Sequence, residues 1–267
     1  GLADVSLSPV DVSLAATFYR KAQAELVSGA ALDFGAIREG DSFAAKVLNV
    51  RNSAISSDAY SDDLKAVLTT ADTGWAAAGV VGRIAAGAAS TALDIRYTGS
   101  TLSAGAVSGS AQLTYTSVGK VGTGLSDVAP DVSGQALTLS GAIYRLATPL
   151  LTYTQVGGVI DLGVVRVGSS VVTKPVMIFN TSAADGFSDL LRVVATSGTG
   201  GFSLEAGTDL AGGGSRQLGI VYNGGVGTTA NGTVQFGLAS IGQSGTGLAD
   251  YSLPGSTQTL TLKGAVW

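Results

Sequence analysis

The chain has no cysteine and no histidine among its 267 residues. Their absence excludes disulfide staples, thiolate or imidazole metal sites, and the Ser-His-Asp and Cys-His nucleophile systems. Charge is scarce as well. Lys and Arg number 15 and Asp and Glu 19, together 13% of the chain, roughly half the usual share of about 25%. The surface must be mostly neutral. A net charge of −4 with no basic cluster argues against a nucleic-acid partner, because a phosphate backbone is bound by grouped Lys and Arg. Long apolar runs are missing too: Trp75 to Val81 and Ile84 to Leu93 are short and separated by Arg83, far from the ~20 residues of a spanning helix. Gly1 to Pro9 carries no basic start and no apolar centre, so no signal peptide is expected in the sequence as it stands. Glycine, by contrast, is abundant. Its 39 residues and the 45% apolar content describe a folded, turn-rich protein rather than a disordered one.

The chain repeats itself. Leu32-Asp33-Phe34-Gly35-Ala36-Ile37-Arg38-Glu39-Gly40 returns as Ile160-Asp161-Leu162-Gly163-Val164-Val165-Arg166-Val167-Gly168, and Asn52 and Asn180 follow in register. Ser117 to Asp127 (SVGKVGTGLSD) returns as Ser240 to Asp250 (SIGQSGTGLAD). A third segment occurs three times: Val12 to Arg20, Leu137 to Arg145, and Leu260 to Trp267. Self-similarity at a fixed period marks a repeat architecture. We place a short extension with an extra strand at 1–20, one body at 21–145 and a second at 146–267.

Within each body apolar residues alternate with polar ones, the period of a half-buried strand. Leu137, Leu139 and Ile143 alternate with Thr138, Ser140 and Tyr144; Leu93, Ile95 and Tyr97 alternate with Asp94 and Arg96. Further strands are expected over Phe43 to Arg51 and Val171 to Phe179, Leu64 to Thr69 and Leu190 to Ala195, and Ala111 to Thr116 and Val234 to Leu238. About seven short strands per ~125 residues predict two tandem immunoglobulin-like antiparallel β-sandwiches, an all-β fold. Leu14 to Leu26 has fair helix propensity, yet its copies are Thr-rich and alternating, so Val12 to Tyr19 is expected to be a strand. The alanine-rich run Ala76 to Ala92 stays ambiguous in its pattern, with the glycines at 79, 82 and 87 favouring a loop.

The runs LDFG…REG, IDLGVVRVGSS…FNTSAADGFSDLL and GTGL…LTLSGAIYRLA resemble the bacterial choice-of-anchor D domain, which is distantly similar to the immunoglobulin-like domains of the Hydin and abnormal-spindle type. The resemblance covers nearly the whole chain twice and weakens at Ser53 to Asp62. It implies an exported bacterial surface protein, extracellular or on the cell surface, with no common catalytic residue.

Candidate chemistry is thin. Ser117-Val118-Gly119-Lys120 fits the S-x-x-K pattern of serine acyl-enzymes, but the copy Ser240 to Gln243 lacks the lysine. Gly122-Thr123-Gly124 and Gly245-Thr246-Gly247 lack the further residues of a phosphate loop and read as turns. Asp58, Asp62 and Asp63 gather carboxylates that calcium would favour, without the ordered spacing of a calcium loop. Asn180-Thr181-Ser182 and Asn231-Gly232-Thr233 are sequons; Asn180 reads as a strand end and Asn231-Gly232 as a turn. No catalytic, cofactor-binding or metal-ligating residue is assigned, no cofactor is expected, and an enzyme is the weakest reading. The expected function is a structural subunit of an extracellular filament, sheath or surface layer, self-associating as a homo-polymer; the alternative is an adhesin or binding module for a glycan or protein. Val12, Leu14, Ala16 and Phe18 form the expected assembly strand, because an alternating strand without charge or proline invites pairing with another chain; the alternative is that Val12 to Tyr19 pairs within its own chain as an extra or opening strand, or is the end of a preceding repeat in a longer protein. Leu260, Leu262, Val266 and Trp267 form the expected receiving terminal strand.

Overall fold

The structure, a computed structural model, describes every residue except 71, 166–175, 206, 226–228, 256 and 267. It is all-β among the described residues, in two Ig-like bodies. The first contains β1 (Ala24–Leu26), β2 (Ala31–Arg38), β3 (Lys46–Asn52), β4 (Asp63–Thr69), β5 (Trp75–Ala78), β6 (Val80–Ile84), β7 (Ala89–Tyr97), β8 (Gly105–Val118) and β9 (Gly134–Tyr144). One sheet runs β1-β3-β7-β5 and the other β2-β9-β8-β4-β6. The second body contains β10 (Pro149–Thr152), β11 (Ile160–Val165), β12 (Met177–Asn180), β13 (Leu190–Gly198), β14 (Phe202–Leu204), β15 (Ser215–Gln217), β16 (Ile220–Tyr222), β17 (Thr229–Ile241), β18 (Tyr251–Ser252) and β19 (Gln258–Val266). Its main sheet runs β11-β19-β17-β13, faced by β10-β12-β15 and the β14-β16 pair.

The alternation read from the sequence is realised in the cores. Leu137, Leu139 and Ile143 on β9 bury beside Leu48, Leu93 and Ile95, while Leu260 and Leu262 on β19 bury beside Phe236 and Ile178. Among the described strands, each body has one parallel ladder and the rest are antiparallel. β2 runs parallel to β9, and β11 parallel to β19.

The repeated D-x-G motif lies on these parallel strands. Pairing slips between Asp33 and Ala36 and again between Asp161 and Val164. At each slip the aspartate Oδ1 accepts the N–H of the glycine two residues on, at 2.8 Å for Gly35 and 3.0 Å for Gly163. Those glycines have φ of 77° and 72°, a region that L-residues with a Cβ avoid. The motif therefore encodes a β-bulge, not a ligand site. Nothing lies within 4 Å of a Cβ added at Gly35, so Gly35→Ala carries only the conformational cost. Denaturant titration should show a loss of about 1 kcal/mol; an unchanged midpoint would overturn this account.

Two expectations are corrected. The alanine-rich stretch is not a loop. It forms β5, β6 and the start of β7, and the chain crosses from one sheet to the other at Gly79, since β5 pairs with β7 and β6 with β4. Gly79 has φ of 108°, and a Cβ there would lie 2.5 Å from the Ala92 carbonyl oxygen, so glycine marks the crossing. Val12 to Tyr19, expected to be a strand, makes no ladder with any described residue and is exposed nearly throughout. Of the strand expected over Val171 to Phe179, residues 171–175 lie outside the described residues and Met177–Asn180 forms β12.

Candidate assembly site at the junction between the bodies

Where the chain leaves β9 and enters the second body it makes only an isolated parallel bridge, Arg145 to Ser188, before β10 begins, so the backbone groups in between need other partners. A buried polar clasp supplies them. The Ala147 N–H donates to Ser240 Oγ at 2.8 Å, and the Ser240 hydroxyl donates to Asp189 Oδ2 at 2.9 Å. The Asn180 carboxamide donates to the carbonyls of Asp189 and Leu210 at 3.1 and 3.0 Å, and accepts the N–H groups of Thr148 and Ser182 at 3.1 and 3.3 Å. Asn180, Asp189 and Ser240 are fully buried.

The first body repeats the clasp group by group. Ala22 N–H donates to Ser117 Oγ and Ser117 to Asp62 Oδ2, each at 2.9 Å. Asn52 donates to the carbonyls of Asp62 and Ile84, both at 3.0 Å, and accepts the N–H groups of Gln23 and Ala54. Two outer contacts recur too. The Arg145 guanidinium donates to both oxygens of Asp185, and that of Arg20 to both of Asp58. Tyr144 meets Phe187, and Tyr19 meets Tyr60, with centroids 5.7 Å apart in both pairs. Residues 19–22 thus hold the first body as residues 144–147 hold the second.

The Arg20 hydrogen bonds, then the Tyr60 N–H, hold the Asp58 carboxyl below its usual range; Arg145, then the Phe187 N–H, do the same for Asp185. A depressed folded-state pKa adds stability that is present above the unfolded value and lost as pH falls through the folded one. Both outer contacts should therefore weaken only below about pH 4. Melting curves across that range should show a shallower acid decline for Asp58→Asn and Asp185→Asn than for the parent; identical slopes would count against these contacts.

Between the bodies, Arg38 at the end of β2 reaches the second clasp. Its Nε donates to Asp189 Oδ2 at 2.9 Å, its Nη2 to the Ala249 carbonyl at 2.6 Å, and its guanidinium lies 5.9 Å from the Tyr251 ring centre. Glu39 approaches Arg145 at 3.9 Å. Beside this contact opens a cleft of about 480 Å³ lined by Arg38, Glu39, Asp41, Arg145, Thr148 and Tyr251. In the first body, Asp62 is the counterpart of Asp189. Among the described residues no guanidinium reaches it.

The structure distributes the sequence candidates as follows. Val12, Leu14, Ala16 and Phe18 are exposed. Leu260 and Leu262 are core residues of β19, which pairs with β17 along its length and with β11 from Leu262 onward. Val266 ends that strand, and Trp267 lies outside the described residues. The three loop carboxylates do not converge: Asp58 turns to Arg20, Asp62 to Ser117, and Asp63 to Arg83 and Lys120. Ser117 is the centre of a clasp rather than a nucleophile exposed to substrate. Asn180 spends its carboxamide inside the clasp, and Asn231-Gly232 lies within β17, not in a turn. The clasp itself went unassigned in the sequence. Its signal was there: Asn, Asp and Ser recur at matching places in both copies among apolar neighbours.

No helix among the described residues is long and apolar enough to cross a membrane. No protein-family model matches the chain, and no curated protein matches it. Solved structures do resemble it, with low similarity. A protein of unknown function from Porphyromonas gingivalis W83 is 13% identical with a TM-score of 0.33, over 91% of this chain and 99% of that one. The E. coli chaperone DraB is 12% identical at 0.29, over 91% and 98%, and the human desmocollin-1 ectodomain 10% identical at 0.42, over 92% and 42%. The architecture itself, two sandwiches joined by a repeated polar clasp, is Ig-like.

Proposed function

We propose that the chain is a structural subunit of an extracellular bacterial surface assembly, a filament, sheath or surface layer, belonging with the choice-of-anchor D repeats and extended by β-strand addition. One observation carries this reading: an exposed, alternating apolar segment, Val12 to Tyr19, runs straight into a clasp that copies the junction between the chain's own two bodies. The buried Arg38–Asp189 contact supports it further, since a joint cemented by a charge pair suits a load-bearing array. So does the sparse charge, as apposed surfaces then have few ions to desolvate. Because β19 already holds β17 along its length and β11 from Leu262 onward, the acceptor in this reading is a body that lacks or releases its final strand. Strand addition supplies main-chain hydrogen bonds for affinity and alternate side chains for register, and a head-to-tail contact of this type generates an open filament unless its rotation closes a ring.

Deleting residues 1–18, which leaves the Tyr19 and Arg20 contacts in place, tests the reading. Electron microscopy and size exclusion should show polymers of the parent replaced by folded monomers; polymers that persist unchanged would overturn it.

A further inference from the structure

The segment ahead of the first clasp exposes what its internal counterpart buries. With Tyr19 set against Tyr144, as their matching ring contacts require, Val12, Leu14 and Phe18 fall opposite Leu137, Leu139 and Ile143. The latter three are 0%, 2% and 1% exposed, whereas Val12, Leu14 and Phe18 are 76%, 93% and 85% exposed. A lone stretch of this pattern has nothing to gain from water. The second half of the observation is at Asp62. Asp62 is buried, its Oδ2 accepts Ser117, and its Oδ1, like that of Asp189, has no partner; the difference lies at Oδ2, where Asp189 also receives the arginine of the neighbouring body and Asp62 receives none among the described residues. Where the chain enters it, the first body thus presents a finished clasp and a carboxylate without a cation, continuous with an exposed copy of a final strand.

From these we infer that this entry point docks a third Ig-like body of the same repeat type, one lacking its own last strand: Val12 to Tyr19 fills the place of β9 in it, and its motif arginine reaches Asp62 as Arg38 reaches Asp189. The inference rests on the assembly reading above and specifies the partner and the residue that receives it. Continuity with the existing junction identifies the partner's type, because Tyr19, Arg20 and Ala22 already make the ring contact, the ion pair and the serine hydrogen bond that the end of a final strand makes on the next body. Charge complementarity identifies the group that approaches Asp62. A buried carboxylate left without a cation is costly, and a guanidinium with planar donors suits it better than an ammonium.

The test fuses a copy of residues 146–257, the second body without β19, directly ahead of Val10 in the chain, which places Val12 where Leu260 would stand. The appended segment is expected to fold around Val12 to Tyr19 and to resist protease at least about tenfold better than in the same fusion carrying Leu14→Asp. Equal, rapid digestion of both forms would overturn the strand assignment. Small-angle scattering then reads the joint. In the folded fusion, Asp62→Asn should broaden the first joint as Asp189→Asn broadens the second, beyond any change that Asp62→Asn makes to the first body in the unfused chain. A first joint that is loose in the parent fusion, or indifferent to Asp62→Asn, would overturn the arginine position while leaving the strand assignment standing. Neither result depends on the residue 1–18 deletion, which tests polymer formation itself.

Discussion

Arg38→Ala is expected to destabilise the second body by about 3 kcal/mol, although Arg38 belongs to the first. Its partner Asp189 is fully buried, and the Arg38 side chain is itself only 15% exposed. Removing the guanidinium leaves a carboxylate out of reach of water with one hydroxyl donor, from Ser240, and strips the Ala249 carbonyl of its donor. An exposed pair would be worth at most about 1 kcal/mol, but a broken buried pair costs about 3–5 kcal/mol because an uncompensated charge remains. For a body of this size the melting temperature should fall by roughly 10 °C. Adding Asp189→Asn to Arg38→Ala should recover part of the loss, since it removes the stranded charge. An unchanged calorimetric transition in Arg38→Ala would show that the pair contributes nothing net.

Asn52→Ala is the second large effect. The carboxamide is fully buried and satisfies four backbone groups at once: the N–H groups of Gln23 and Ala54 and the carbonyls of Asp62 and Ile84. Alanine offers none of them a partner. Each buried group left unsatisfied costs about 1–3 kcal/mol, so a total near 4 kcal/mol is expected, a large part of the roughly 5–15 kcal/mol that holds an ordinary domain. Trp75 is buried in this body's core and reports its unfolding. Fluorescence-monitored denaturation should show a midpoint shifted far toward lower denaturant, with the transition of the second body in place. A shift under about 1 kcal/mol would mean that the entering chain finds other partners.

Several features were legible in the residues alone. Alternation over Leu137 to Tyr144 and Leu260 to Val266 was enough to identify buried strands, because the period of two is a local property of extended backbone. The bulge motif was visible as a repeated D-x-G, although its chemistry was not: only pairing with β9 and β19 shows that the glycine sits at a register slip. The alanine-rich stretch misled because alanine and glycine carry little periodic signal, and whether such residues form strands depends on neighbours brought up from elsewhere, here β4 and β7.

By itself the sequence determined the all-β class, the duplication and the narrow chemistry, since composition and period act locally and survive without a partner. Tertiary structure alone decided what the recurring polar residues do. Asn52, Asp62 and Ser117 are separated by up to 65 residues, and Arg38 by 151 from Asp189. Their roles come from burial and from which backbone groups are left unpaired at a chain entry, neither of which is a property of the residues one by one. The same holds for Val12 to Tyr19. Its alternation marks it as a strand, but an extended segment becomes one only beside a partner, and no described residue of the chain provides that partner.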